Sequence, residues 1–309
     1  MAPVYTPEQR QVIDAYRAWA ETQNLSQAQA ARKINCSEAT LSRLYSYQYP
    51  SRVEQHVRAM ARVLGRHEDA QRAPSRVPFA QTSLAAHVWD ALRTAHAESV
   101  LVAILGPTRI GKSEAARHYC EREPDTVYIA ASVTATPYAL LRHIAGLLRV
   151  RWQGSVYDMQ LALTEHLAGT DRLIIIDEID HIREPSLQVL RMLQDGSRVG
   201  MAWIGTESFL DGLAARRSST INQVLGRVVY LERLGPLTPD DIALIAEPYG
   251  LDDEALAALV TGAQGQAGRA AAALVNARRG GRRVTARTLE QAFAMLMPVV
   301  QGAPEARNA

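Results

Sequence analysis

The sequence has little lysine, little cysteine and few aromatic residues, and it has no long apolar run. Lys33 and Lys112 are the only lysines, so nearly every cation is an arginine. Two cysteines, Cys36 and Cys120, are too few for a disulfide framework and favour a reducing cytoplasm. No stretch approaches membrane-spanning length, and the first residues lack the apolar segment of a signal peptide. Neither a secreted scaffold nor a membrane protein is therefore expected.

The charge that is present is unevenly distributed along the chain. The net charge is only +2, yet residues 26–66 hold seven cations against two acids, and residues 268–288 hold six arginines and no acid. Both stretches are plausible contact surfaces for a polyanion such as DNA. The arginine bias is equally compatible with genome composition, and the second stretch with an ordinary solvated surface.

Composition divides the chain into five parts. Residues 1–67 have a helical pattern, residues 68–83 carry prolines and polar residues typical of a linker, and residues 299–309 predict a disordered tail. Apolar strands alternate with helical segments over residues 84–235, which predicts an α/β core with a parallel sheet. The predicted strands are Val100–Leu105, Val127–Ala131, Leu173–Asp177, Val199–Ile204 and Val228–Leu231. Residues 236–298 predict a helical lid that begins at the Thr238-Pro239 cap.

A phosphate-binding loop follows the first predicted strand. The motif G-x-x-x-x-G-K-[ST] is matched by Gly106, Pro107, Thr108, Arg109, Ile110, Gly111, Lys112 and Ser113. The glycines let backbone amides curl around phosphates, and the following helix adds its positive N-terminal end. Lys112 is expected to reach the β- and γ-phosphates, and Ser113 to hold Mg²⁺. The motif, preceded by a strand and followed by a helix, predicts a site for ATP and Mg²⁺.

Two carboxylates follow the third predicted strand. Asp177 ends the apolar run Leu173–Ile176, where it is suited to hold Mg²⁺ beside a bound nucleotide. Glu178 is placed to orient and polarise the attacking water, which favours hydrolysis over transfer to a second substrate. Asp180 and His181, which come next, are expected to form a surface turn.

Two further positions are candidates for catalysis. Thr206 follows the fourth strand and could sense the γ-phosphate, or could simply cap the next helix. Arg227 precedes the last strand and could reach the nucleotide of a neighbouring subunit as a trans-acting arginine. Arg216 and Arg217 compete for that role.

The segment Gln27–Leu44 has the spacing of a helix-turn-helix, with a generic helical hairpin as the alternative. Ala31 is small where two helices would cross, Asn35 tolerates positive φ, and Ser37 caps the second helix. The residues predicted to contact DNA, here and in the arginine-rich lid segment, are Lys33, Thr40, Ser42, Arg43, Arg278, Arg279, Arg282 and Arg283.

Nearly the whole chain resembles the Mu B-like transposition proteins, which are AAA+ ATPases. The resemblance lies in "GPTRIGKSEAARHY", "LIIIDEIDHI", "LRMLQDGSRVG" and "FAQTSLAAHVWDALR". It departs from the family at Thr206, where asparagine is typical, and at the lid motif "GQAGRAAAAL". That motif offers Arg269 as a nucleotide-facing arginine with imperfect spacing.

The resemblance implies an ATPase that binds double-stranded DNA with little sequence specificity and forms an oligomer or helical filament on it. It further implies delivery of that DNA to a DDE transposase, and hydrolysis with release when transposase is contacted. Two other readings of the same residues are a replication initiator or helicase loader, and a transcriptional regulator with a nucleotide switch.

Overall fold

The computed structural model describes residues 5–50, 53–72, 77–132, 136–214, 223, 225–279 and 282–297. The predicted tail and the competing arginines Arg216 and Arg217 lie outside these residues. The chain divides into two compact units, with the boundary between residues 76 and 77. Residues 278–283 are assigned to the first unit, and the other described residues from 77 onward form the second.

The first unit is helical. Its helices are α1 (Pro7–Thr22), α2 (Gln27–Lys33), α3 (Glu38–Tyr45) and α4 (Val53–Arg72). Side-chain oxygens of Thr6, Ser26 and Ser37 accept backbone N–H groups at the starts of the first three helices. Apolar side chains such as Ile13, Leu41 and Met60 are fully buried between the helices. This unit therefore has a hydrophobic core of its own.

The second unit contains a five-stranded parallel sheet with the order β2-β3-β4-β1-β5. Its strands are β1 (Leu101–Leu105), β2 (Thr126–Ala130), β3 (Leu173–Asp177), β4 (Gly200–Gly205) and β5 (Val228–Arg233). The three inner strands are buried at every residue, whereas the two edge strands are partly exposed. All five predicted strands are present close to their predicted bounds. The predicted α/β fold class is confirmed.

Helices cover both faces of the sheet, as a parallel sheet requires. They are α5 (Ser83–Glu98), α6 (Lys112–Arg122), α7 (Pro137–Leu148), α8 (Val156–Leu167), α9 (Glu184–Ser197) and α10 (Ser208–Ala214). Alternate residues of β1 enter two separate cores. Val102 and Ile104 pack with α5 and α6, and Leu101, Ala103 and Leu105 pack with α7 to α9.

Four α-helices follow β5 and pack into the same core as α5 and α6. They are α11 (Pro239–Ala246), α12 (Asp253–Ala263), α13 (Ala267–Ala277) and α14 (Ala286–Ala294). We call residues 236–297 the lid. The helix start predicted at Thr238-Pro239 is present: Thr238 caps α11 in a capping box with Asp241, and Pro239 occupies its first turn.

The predicted linker over residues 68–83 differs from the structure at both of its ends. Helix α4 continues to Arg72, and residues 77–82 belong to the second unit, where Val77, Phe79 and Ala80 pack against its core. Phe79 stacks on His118 at 4.0 Å between ring centroids and on Trp89 at 5.8 Å. Buried aromatic area holds the later residues in place, although the polar and proline content of the sequence suggested a loose connection.

Across the described ranges, none of the helices is both long enough and apolar enough to cross a bilayer.

Candidate functional site

The phosphate-binding loop lies between the buried end of β1 and the first turn of α6. Gly106 passes so close to the end of β5 that a Cβ there would lie 2.5 Å from the carbonyl oxygen of Leu234. Gly111 has φ of +110°, a conformation that favours glycine, and directly precedes α6. Ile110 is buried, whereas Pro107, Thr108 and Arg109 are exposed. The loop thus presents its backbone outward at a helix N-terminus, which suits an anion.

Lys112 is buried, and its ammonium lies inside the loop. Its Nζ donates to the carbonyl oxygens of Gly106 and Pro107, at 2.7 and 2.6 Å. Burial lowers the pKa of Lys112, while the negative charges of Asp177 and Asp180 oppose that shift. A cation therefore stands at the centre of the loop, where a phosphate group would need one.

Asp177 ends β3 as a carboxylate that is only 3% exposed. Its Oδ1 accepts the backbone N–H of Glu178 at 2.8 Å, and its Oδ2 accepts the hydroxyl of Tyr128. Ser113 lies in the first turn of α6, where it is half-buried. A hydroxyl and a carboxylate are oxygen ligands of the kind that Mg²⁺ prefers, so these two residues fit the metal expected at such a loop.

Glu178 is exposed and has φ of 57°, which is uncommon for a residue with a side chain. Its carboxylate lies 3.4 Å from Nδ1 of His181, across the short 3₁₀ turn Ile179–His181. The turn predicted for Asp180 and His181 is therefore present. The carboxylate of Glu178 lies open to solvent at the carboxyl edge of the sheet, where it could meet a water molecule.

Thr206 contacts this turn from the end of the neighbouring strand β4. Its Oγ1 donates to Oδ1 of Asp180 at 2.5 Å, and its backbone N–H donates to Oδ2 of Asp180 at 3.0 Å. Gly205 allows this approach, because a Cβ there would lie 2.7 Å from the Asp180 carboxylate. The structure thus brings Thr206 to the ends of β3 and β4, held by Asp180.

Arg227 does not join this cluster in the same chain. It precedes β5, at the amino end of the strands, whereas the loop and the carboxylates lie at the carboxyl end. Its Nε lies 3.1 Å from Oδ1 of Asp195, near the end of α9, and 54% of its side chain is exposed. Strand β5, which Arg227 precedes, is an edge strand of the sheet.

The side chain of Arg269 turns into the lid in this structure, and its nucleotide-facing role stays a prediction. Its side chain is buried within the lid, where it donates to the carbonyl oxygens of Gly262 at 2.7 Å and Met297 at 2.8 Å. Its guanidinium also lies 5.4 Å from the ring centroid of Phe293. The loop is contacted instead by Gly268, whose N–H donates to the carbonyl of Arg109 at 2.9 Å. Helix α13 therefore meets the loop through its backbone.

The predicted DNA-contacting residues in the first unit lie on or beside α2 and α3. Asn35 has φ of 54° in the turn between these helices, Ala31 is buried as its predicted position at a helix crossing requires, and Leu41 and Leu44 are buried beside it. Lys33, Ser42 and Arg43 are exposed, whereas Thr40 is half-buried with its backbone N–H bonded to Ser37. Asn35 and the buried side chains thus form a compact pair of helices, and the assignment of this pair as a DNA-binding helix-turn-helix stays a prediction.

The four lid arginines predicted to contact DNA are exposed. They flank residues 280 and 281 and are Arg278, Arg279, Arg282 and Arg283.

Two residues of the site were not found from the sequence. Tyr128 lies within an apolar strand and reads as a core aromatic, although a buried phenol usually needs a hydrogen-bond partner, which was the available signal. Asp180 was read only as part of a turn. Its hydrogen bond with Thr206 joins two residues that are 26 positions apart in sequence, and no spacing rule reveals that contact.

Comparisons with known proteins agree with this architecture. Residues 95–213 match the family model described as an AAA domain. Among solved structures, the ORC2 protein of Aeropyrum pernix in its ADPNP–ADP complexes is 18% identical, with a TM-score of 0.55 over 70% of this chain and 68% of that chain. The Walker-type ATPase of Pyrococcus abyssi is 16% identical, with a TM-score of 0.53 over 70% and 72%. The fold is that of an AAA-type P-loop ATPase.

Comparison with individual proteins shows which AAA-type ATPases this chain resembles. The chain is 24% identical over 246 residues to the ATP-dependent target DNA activator B of Escherichia phage Mu, covering 77% of each chain. It is 22% identical over 255 residues to the Mu-like prophage FluMu DNA transposition protein B of Haemophilus influenzae, covering 79% of this chain and 88% of the relative. The predicted resemblance to Mu B-like transposition proteins is confirmed.

Proposed function

We propose that this chain is an ATPase that binds target DNA in an ATP-dependent manner, oligomerises on it and delivers it to a DDE transposase, thereby activating transposition. The observation that supports this most strongly is the cluster of Lys112, Asp177 and Glu178 at one edge of the sheet in a chain whose relatives are named as ATP-dependent target DNA activators. Its DNA and transposase partners would place this activity in the cytoplasm of a bacterial cell.

The residues divide the work of hydrolysis among them. The loop amides and Lys112 bind and neutralise the β- and γ-phosphates of ATP. Ser113 and Asp177 would hold Mg²⁺, which when bound offsets phosphate charge. Glu178, exposed beside that site, orients the water and accepts its proton, as a general base does. Thr206, held by Asp180, offers a hydroxyl at the same edge.

The roles of Lys112 in the loop and of Glu178 as the base can be tested separately, by measuring ATP binding at equilibrium and the rate of ATP turnover. Lys112→Ala should abolish ATP binding, because it removes the buried ammonium that bonds to the loop carbonyls of Gly106 and Pro107. Glu178→Gln should bind ATP normally but hydrolyse it about 10²–10⁴-fold more slowly. Glu207→Gln is the matched control, since Glu207 is exposed beyond the next strand. Turnover in Glu178→Gln near the wild-type rate would remove Glu178 from the mechanism.

The DNA surface is proposed from exposed cations. Lys33 and Arg43 lie on or beside the predicted helix-turn-helix, and a further group lies at residues 278–283. Contacts to phosphates release counterions, so binding should weaken steeply with salt and depend little on sequence. Replacing Arg282 and Arg283 by alanine should flatten the slope of log affinity against log salt by about one unit for each lost contact. An unchanged slope would mean that these two arginines face solvent and do not contact DNA phosphates.

Self-assembly on DNA would follow from the placement of Arg227 on the edge side of the sheet, far from the loop of its own chain. Electron microscopy of the protein with non-specific DNA, with and without ATP, tests it. ATP-dependent regular assemblies support the proposal, and isolated dimers at a palindromic sequence would favour a transcriptional regulator.

A further inference from the structure

The hydroxyl of Tyr128 contacts Asp177, one of the two residues expected to hold Mg²⁺. It donates to Oδ2 of Asp177. Tyr128 lies on β2 and Asp177 on β3, so this bond joins two neighbouring strands. The phenol is thus placed to hold the carboxylate in one orientation.

The ring of Tyr128 is held where this contact requires it. Strand β2 pairs with β3 so that Tyr128 lies opposite Ile175, two residues before Asp177. The phenol therefore points along the sheet toward the end of β3. The guanidinium of Arg117, on α6, lies 5.1 Å from the ring centroid and covers its other side. A cation over an aromatic face is attractive, and it fixes the ring against α6.

The hydrogen bond also determines how the Asp177 carboxylate is oriented. One oxygen is bound by the backbone N–H of Glu178 at 2.8 Å and the other by Tyr128. Both bonds together define the plane of a carboxylate that is almost fully buried. Burial and the bond to Asp177 raise the pKa of Tyr128, so the phenol remains a donor at neutral pH. Replacing a partner in this outer position typically lowers metal affinity about 10–100-fold.

We infer that Tyr128 is a positioning residue for the metal site, which orients Asp177 and so sets the Mg²⁺ dependence of nucleotide binding. The inference rests on the proposed function, because it concerns the same site. It assigns no direct contact between Tyr128 and the nucleotide.

The test measures nucleotide binding rather than turnover. The dissociation constant of a fluorescent ADP analogue is determined in EDTA, and then Mg²⁺ is titrated in, for wild type and Tyr128→Phe. Phenylalanine keeps the ring and its contact with Arg117 and removes only the hydroxyl. Tyr157→Phe is the matched control, because Tyr157 is 67% exposed on α8.

The midpoint of the Mg²⁺ titration should rise about 10–100-fold in Tyr128→Phe, while the affinity in EDTA stays unchanged. Tyr157→Phe should match wild type in both measurements. In an Asp177→Asn background the Tyr128→Phe change should have little further effect, because the two residues act through one contact.

Each other result contradicts the inference. An equal loss of affinity with and without Mg²⁺ would mean that Tyr128 merely supports the fold. A lower midpoint would mean that the phenol competes with the metal. If wild type responds to Mg²⁺ and Tyr128→Phe responds equally, the positioning role alone is wrong. If wild type binds nucleotide but does not respond to Mg²⁺, the proposed metal site fails and this inference fails with it.

Discussion

Asp241 joins the first turn of the lid to the start of α5, and replacing it should loosen that junction. Its carboxylate is 3% exposed and accepts four hydrogen bonds from two residues. The backbone N–H and hydroxyl of Ser83 donate at 2.6 and 2.8 Å, and those of Thr238 at 3.2 and 3.0 Å. One carboxylate thus serves the N-terminal ends of two helices, where negative charge is also favourable.

The expected magnitude follows from these contacts. A hydrogen bond to a charged group contributes about 1.5–3 kcal/mol, and bonds that share one acceptor do not add. Ser83 and Thr238 are themselves exposed, so water can replace part of what Asp241→Ala removes. We therefore expect a loss of about 2–3 kcal/mol in the free energy of unfolding. For a unit of this size that corresponds to a fall in melting temperature of about 5–10 °C.

Thermal unfolding of the full chain, followed by tryptophan fluorescence, measures this loss. Trp89 and Trp203 are both buried in the second unit and report its unfolding. Asp240→Ala is the control, because Asp240 lies in the same turn but is exposed, and its loss should be about 0.3–1 kcal/mol. If Asp241→Ala melts at the same temperature as Asp240→Ala, the junction does not stabilise the unit and the reasoning is refuted.

Three further outcomes are expected. Burial is the largest influence on Asp241 and raises its pKa, but the hydrogen bonds from Ser83 and Thr238 outweigh it, so the folded pKa lies below the usual 3.8. The ionised form therefore stabilises the fold above that pH. In urea titrations, the difference in unfolding free energy between wild type and Asp241→Asn should be constant near neutral pH and shrink below about pH 4. A difference that widens below pH 4 would contradict the lowered pKa of Asp241. Gly200→Ala would place a Cβ 2.3 Å from the backbone oxygen of Ala95, so it should lower the free energy of unfolding by at least about 1–3 kcal/mol. Gly146→Ala, in open space on α7, should be neutral or slightly stabilising in the same unfolding assay. Mixing inactive Arg227→Ala and Lys112→Ala proteins on DNA should restore part of the ATP turnover, since some interfaces would pair an intact arginine with an intact loop; no recovery despite demonstrated co-assembly would exclude Arg227 as the trans-acting residue.

The sheet and the loop could be predicted because local sequence determines them. A strand buried on both faces must be apolar throughout, so β1 and β3 are visible as uninterrupted runs. The loop needs glycine and lysine at fixed spacing, and the acidic pair must follow a strand. These features depend on residues that are neighbours in the chain, and spacing alone reveals them.

The remainder depends on partners far away in sequence. Arg269 turns into the lid because the carbonyls of Gly262 and Met297 accept its guanidinium, and no motif contains all three. Residues 77–82 looked like a linker because their contacts with α5 and α6 lie outside any local window. The place of Tyr128 beside Asp177 likewise depends on strand register, which the sequence of one strand does not specify.

The contact between Gly268 and Arg109 makes the affinity of the loop a property of the whole lid. Because the lid backbone donates directly to the loop backbone, the free energy of docking the lid and that of filling the loop are linked quantities. By reciprocity, the factor by which docking of the lid changes phosphate affinity equals the factor by which phosphate changes the docking equilibrium. Substitutions remote from the loop, at the packing of α12 against α14 for example, can therefore tune nucleotide affinity without altering a single group that touches the nucleotide.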